Sequence, residues 1–138
     1  MADVAAAKTG RLILVAEDND DLRKLLKTWL VDRGFAVLEA EDGGAAIRLC
    51  EEHVPDLAVI DLQMPGIDGI MTIKHLRRSE RLRQVPVIAT SAFGDWAMDL
   101  FVDIENFGDA PIEYIAKPAS FESLNELLNK LLISRDGD

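Results

Sequence analysis

The stretch Leu12-Ile13-Leu14-Val15-Ala16-Glu17-Asp18-Asn19-Asp20 decides how the rest of the chain is read. Five apolar residues with no polar interruption mark a strand covered on both faces, because a strand with one wet face alternates. The run stops at four acidic or amide residues. Beyond them Leu22, Leu25, Leu26, Trp29 and Leu30 recur at helical spacing, which predicts a helix with Leu25, Leu26 and Trp29 in the core. Asn19 or Asp20 is placed to cap its start and Gly34 to stop its end.

The alternation continues outward. Phe35 to Leu38 reads as a second strand, and Glu41 to His53 as a helix weakened by Gly43-Gly44 and closed by Pro55. Leu57-Ala58-Val59-Ile60 is a third buried strand ending in Asp61. After the turn at Met64-Pro65-Gly66, a helix runs through Ile70, Ile73 and Leu76. Val85 to Ala89 gives a fourth strand ending in Thr90-Ser91, Asp95 to Phe107 a helix, and Tyr114 to Ala116 a fifth strand. Ser120 opens a last amphipathic helix carrying Leu124, Leu127, Leu128 and Leu131. Strands that alternate with helices in this way predict a parallel sheet with right-handed crossovers, a three-layer doubly wound α/β fold. Residues 1–9 are expected to be a flexible lead-in, 10–133 the domain, and 134–138 a short polar tail with no output domain.

At 138 residues the chain is one domain, and 49% hydrophobic with 29% charged residues excludes a disordered one. Twenty-five acids against 15 Lys and Arg give a net charge of −10, which argues against nucleic acid or an anionic membrane as direct partner. The single cysteine, Cys50, excludes a disulfide framework and fits a reducing cytoplasm. No stretch is long and apolar enough to span a membrane, and Met1 to Thr9 lacks the basic region of a signal peptide.

In doubly wound sheets ligands sit outside the carboxyl ends of the strands. Glu17, Asp18, Asp61, Thr90, Ser91 and Lys117 all lie just past a strand end, so they are expected to converge. Carboxylates 4 Å apart repel by about 4 kcal/mol per pair at an effective dielectric near 20. Either one carboxyl keeps its proton or a hard divalent cation binds, and oxygen-only ligands favour Mg²⁺ or Mn²⁺. Lys117 adds a fixed positive charge and Ser91 a hydroxyl donor, so the edge suits a tetrahedral dianion such as a phosphoryl group, with a carboxylate as nucleophile.

The run Asp61-Leu62-Gln63-Met64-Pro65-Gly66-Ile67-Asp68-Gly69, preceded by the acidic pair and followed by Ser91-Ala92 and Lys117-Pro118, resembles the receiver domain of two-component response regulators over residues 11–132. That resemblance implies a flavodoxin-like (βα)5 fold with strand order 2-1-3-4-5 and helices on both faces. It implies that Asp61 accepts a phosphoryl group from the phosphohistidine of a histidine kinase or phosphotransfer protein. Glu17, Asp18, Asp61 and the backbone carbonyl of Gln63 would hold Mg²⁺, for which Mn²⁺ can substitute. Ser91 and Lys117 would bind phosphoryl oxygens, Tyr114 would be the aromatic that swings inward, and Lys117-Pro118 would be cis. The protein is then a cytoplasmic phosphoacceptor and switch rather than a turnover enzyme.

Several residues depart from the family's usual pattern. Glu17 replaces the commoner Asp and Ser91 the commoner Thr. The segment between Ser91 and Tyr114 is longer than typical and carries Ala110-Pro111 where Gly-Ala is usual. Between Ala92 and Ala116 stand Asp95, Asp99, Asp103, Glu105, Asp109 and Glu113 with no Lys or Arg. The helix over 95–107, within a switching face at residues 93–116, is expected either to dock a basic downstream partner or to be a solvated acidic helix. Two rivals compete: a haloacid-dehalogenase-type phosphatase using Asp18-Asn19-Asp20, and a receiver-like interaction module independent of phosphate. A flavin carrier lacks its phosphate loop after the first strand. Elsewhere Asp68 is read as a helix cap, Asp20 and Asp21 as a cap and a first-turn acid, His53 and His75 as surface residues, Cys50 as core, and Arg77, Arg78, Arg81 and Arg83 as a solvated cluster. In the family, Gln63 and Phe93 stand where side chains tune phosphate loss. Phe93 cannot orient a water, so the phosphorylated domain is expected to lose its phosphate slowly; rapid release followed by intact mass would contradict this.

Overall fold

Alternate residues of a strand face opposite sides of its sheet, and here both sides are covered by helices. The computed structural model describes residues 10–92 and 110–136. Strands β1 (Leu12–Ala16), β2 (Ala36–Ala40), β3 (Leu57–Asp61), β4 (Val87–Ser91) and β5 (Ile112–Ala116) form one parallel sheet in the order β2-β1-β3-β4-β5. Leu12, Leu14 and Ala16 join Ala58, Ile60, Val87 and Ala89 in one core layer, with Ala46, Cys50, Ile73 and Leu76 of helices α2 (Gly43–His53) and α3 (Gly69–Arg78). Ile13 and Val15 join Leu57, Val59 and Ile88 in the other, with Leu30 of α1 (Asp20–Asp32) and Leu124, Leu128 and Leu131 of α4 (Phe121–Asp136). The unbroken apolar runs are explained by these two layers, and each large side chain so buried stabilises the fold by about 1.5–3 kcal/mol.

The helix starts follow their caps. The side chain of Asn19, rather than Asp20, accepts from the Leu22 amide; Asp68 accepts from Met71, and Ser120 Oγ accepts from Ser123. Asp42 accepts from the Ala45 amide, so α2 starts at Gly43 and not at Glu41. Gly34 closes α1 at φ 95°, a conformation that favours glycine. Parallel pairing moves three strands, and β5 opens at Ile112, the partner of Val87, rather than at Tyr114. Glu39 and Ala40 pair with Val15 and Ala16, so β2 runs beyond Leu38, whereas Val85 belongs to the preceding turn, its amide bonding Leu82, and β4 runs 87–91. The polar tail expected from Ser134 begins as helix, because α4 continues to Asp136. The helix expected over 95–107, the lead-in at 1–9 and Phe93 lie outside the described residues.

Two expectations about side chains are corrected. Leu25 is 52% exposed, because the inward stripe of α1 runs through Leu26, Trp29 and Leu30. Arg77 is buried, its guanidinium donating to the carbonyls of Val85, Ala110 and Pro111, so it joins the segments leading into β4 and β5 instead of facing solvent. Arg81 is exposed as expected, and it donates to the carbonyl of Glu51 on α2. His75 is exposed as expected, though it meets Glu51 across the α2–α3 contact at 3.0 Å.

Gly43 does more than weaken a helix. A Cβ there would collide with the backbone carbonyl of Ile67 and with Thr72, so glycine lets α2 approach the loop between β3 and α3. A Cβ on Gly44 meets only ordinary contacts, with Asp42 Oδ1 at 3.4 Å. The neighbouring substitutions should therefore have opposite signs: Gly44→Ala stabilises by about 0.5–1 kcal/mol through helix propensity, while Gly43→Ala destabilises by about 1–3 kcal/mol by overpacking. Urea denaturation of both variants reads this directly.

Cys50 is fully buried, and burial first, with the charge of Glu51, pushes its thiol pKa up to about 12. It should stay unreactive to a disulfide reagent at neutral pH until denaturant is added.

Candidate functional site

Each strand end delivers one part of the site. At the end of β1 the Glu17 amide continues the pairing with β2 by donating to Ala40, and the chain then turns into α1. Glu17 is 2% exposed and Asp61 at the end of β3 is 3% exposed, whereas Asp18 is open to solvent. One carboxylate oxygen from each of Glu17, Asp18 and Asp61 lies within 4.8 Å of the others. At that separation two buried carboxylates repel by about 3.5 kcal/mol at an effective dielectric near 20.

Lys117, one residue past β5, answers that repulsion. Its ammonium donates to Glu17 Oε1 at 2.6 Å and to Asp61 Oδ2 at 3.2 Å. Burial by itself would lower the Lys117 pKa, but its hydrogen bond to Glu17 and the charges of Asp61 and Glu17 outweigh burial and hold it above the ordinary 10.5. The sign follows: a raised lysine contributes its stability fully at neutral pH and loses it only as pH rises through the alkaline range above 10.5. Three carboxylates and one ammonium leave two negative charges, the charge of one divalent cation. The all-oxygen donor set, without Cys or His, suits a hard ion such as Mg²⁺.

The other expected site residues stand around this cluster. The Gln63 amide donates to Asp61 Oδ1 at 3.0 Å, which brings the Gln63 peptide to the site. Thr90 is the register partner of Asp61, and the next residue, Ser91, is fully buried. The Ser91 carbonyl receives the Lys117 amide at 2.8 Å and the Tyr114 hydroxyl at 3.4 Å, so the ends of β4 and β5 and the half-buried aromatic meet at one carbonyl. Lys117-Pro118 is cis, as expected. Asp20 is turned elsewhere: its Oδ1 takes Arg23 Nη2 at 2.6 Å, so Asp18 and Asp20 do not form the acidic pair that a dehalogenase-type phosphatase needs.

The model of the response regulator receiver domain matches residues 13–129. The chain belongs to that family. Among its relatives, the receiver is 38% identical over 114 residues to the phosphate regulon transcriptional regulatory protein PhoB of Escherichia coli (strain K12), covering 83% of this chain and 48% of PhoB. It is 35% identical over 121 residues to the chemotaxis protein CheY of Bacillus subtilis (strain 168), covering 87% of this chain and 96% of CheY. The chain thus spans about half the length of the PhoB proteins it matches and nearly all of CheY. Among solved structures, the receiver domain of the Francisella response regulator 1452 is 30% identical at TM-score 0.78, covering 91% of this chain and 98% of that one. The signal receiver domain of a histidine kinase from Syntrophus aciditrophicus is 26% identical at TM-score 0.80, covering 90% and 91%. Among the described residues no helix is long and apolar enough to cross a membrane.

Two positions that the sequence reading passed over shape the receiver's site. A Cβ on Gly69 would collide with the backbone carbonyl of Asp61, so this glycine lets the start of α3 close against the end of β3. Arg23 is 8% exposed and donates to the Glu17 carbonyl at 2.9 Å. No periodicity marks either role, although the D-G step before α3 is visible as text. Gly69→Ala should displace the Asp61 backbone and destabilise the domain by about 1–3 kcal/mol, with the largest amide chemical-shift changes at Asp61 to Gln63. Changes confined to α3 would refute the close-approach argument.

Proposed function

We propose that this receiver is a phosphorylation-driven switch in which Asp61 is the phosphoacceptor. The observation that carries the reading is the Lys117 ammonium bridging Glu17 and Asp61 inside a three-carboxylate cluster at the strand ends. An oxygen of Asp61 attacks phosphorus of a phosphohistidine; the O–P bond forms as the N–P bond breaks, and the electron pair leaves on the imidazole. Glu17, Asp18, Asp61 and the Gln63 carbonyl are the residues that would hold Mg²⁺, or Mn²⁺ in its place, and the bound ion would supply charge neutralisation to the phosphoryl oxygens. Lys117 is already charged and within reach of Asp61, so it can shift onto a phosphoryl oxygen without a proton transfer. Ser91 donates to another oxygen. Tyr114, whose hydroxyl meets the Ser91 carbonyl, transmits the change to the face over residues 93–116, where a downstream protein binds.

A phosphohistidine donor, a histidine kinase or phosphotransfer protein in the cytoplasm, needs a seat beside Asp61. A groove of about 530 Å³ between α1 and α4 opens next to Glu17 and Lys117 and is walled by Leu22, Leu25, Leu26, Phe121 and Leu124. Leu25 and Phe121 are exposed at its edge, apolar surface that a helical donor would cover.

The test is incubation with a small acyl phosphate and Mg²⁺, followed by intact mass and peptide mapping. One hydroxylamine-sensitive phosphoryl group on Asp61 is expected. Asp61→Asn should abolish it, while Asp18→Asn should slow labelling and leave its position unchanged. Labelling on Asp18 would favour the phosphatase reading, and no labelling at all a module independent of phosphate.

A further inference from the structure

Glu17 and Asp18 are consecutive, so the peptide plane that joins them sets the directions in which both side chains leave the chain. The carbonyl of that peptide belongs to Glu17, and no sheet partner takes it: Arg23 Nη1 donates to it at 2.9 Å in a buried hydrogen bond. The same guanidinium is held from two more sides. Nη2 meets Asp20 Oδ1 at 2.6 Å, and Nε lies 3.4 Å from Glu39 Oε1 on β2. Lys27 Nζ meets the second oxygen of Glu39 at 3.1 Å, so Glu39 of β2 holds two cations of α1, Arg23 and Lys27. Glu17 is thereby gripped at every polar atom: its amide donates to Ala40, its carbonyl accepts from Arg23, Oε1 from Lys117 and Oε2 from the Asn19 amide. Asp18, exposed and without an ion pair among the described residues, has only the peptide plane to direct it.

We propose that Arg23 is a positioning residue for the metal-ligating pair, its planar fork locking the Glu17–Asp18 peptide so that both carboxylates face Asp61. The inference rests on the reading of this cluster as an Mg²⁺ site. A lysine cannot serve equally, because a single ammonium does not present donors on the Glu17 carbonyl, Asp20 and Glu39 in one rigid plane. The opposing effect is electrostatic, since a cation beside the cluster repels a divalent ion. Asp20 and Glu39 lie against the guanidinium and offset its charge, so geometry dominates.

The two effects separate in three variants. Mg²⁺ affinity is measured by titration of the full chain, following the amide chemical shifts of Asp18, Asn19 and Gln63, with folding checked by urea denaturation. Arg23→Lys and Arg23→Met are both expected to weaken Mg²⁺ binding by about tenfold, the scale on which groups orienting metal ligands act. Lys27→Met, which removes a charge from the same Glu39 without touching the 17–18 peptide, should leave the affinity within twofold of the parent. Unchanged or tighter binding in either Arg23 variant overturns the proposal in favour of simple repulsion; if Arg23→Met fails to fold, Arg23→Lys decides alone. A parent chain that binds no Mg²⁺ overturns the metal-site reading itself and is distinguishable because it precedes any variant.

Discussion

The crowding of like charge at the strand ends is the constraint on which the rest depends. Two buried carboxylates and a third at the rim are stable together only because Lys117, a hundred residues from Glu17 in the chain, reaches back to both buried ones. Removing an ammonium from such a cluster leaves buried charge without compensation, which costs more than the ion pair itself contributes. The sheet order supplies this meeting. β1 and β3 are neighbours, β4 lies beside β3 and β5 beside β4, so the loops after them open on one edge.

Holding that edge requires rigid loops, and the molecule uses three devices for it. Glycines at 43 and 69 allow backbones to approach where any side chain would collide, fixing the β3–α3 loop between α2 and the end of β3. Buried guanidiniums satisfy carbonyls that the sheet leaves over: Arg23 at the end of β1, Arg77 where the chain approaches β4 and β5. A shared acceptor, the Ser91 carbonyl, ties Lys117 and Tyr114 to β4. A buried carbonyl without a donor would cost about 1–3 kcal/mol, so each device also removes a penalty.

Helices α1 and α4 meet through Trp29 stacked on Phe121 at 4.9 Å, with Arg33 over the indole at 4.5 Å. Phe121 also walls the apolar groove that reaches Glu17 and Lys117, so the shape of the groove depends on how the two helices are held. The α1–α4 surface is therefore both a core contact and a wall of the groove beside Glu17 and Lys117.

Sequence alone determined the layers and which residue types stand at the strand ends. Runs such as Leu12 to Ala16 and Leu57 to Ile60 are buried on both faces, and acids or hydroxyls stand immediately after them, so strand positions and the converging Glu17, Asp18, Asp61, Ser91 and Lys117 could be read from local pattern. Tertiary structure decided what local pattern does not encode. Leu25 shares the spacing of Leu26 and Trp29 yet faces outward, because which side of a helix is covered depends on its neighbour. Arg77 sits among three surface-looking arginines yet is buried, because its acceptors come from residues 85, 110 and 111. Gly43 looked like a weak point and is a point of close approach, since a missing Cβ has meaning only when another backbone stands where it would have been.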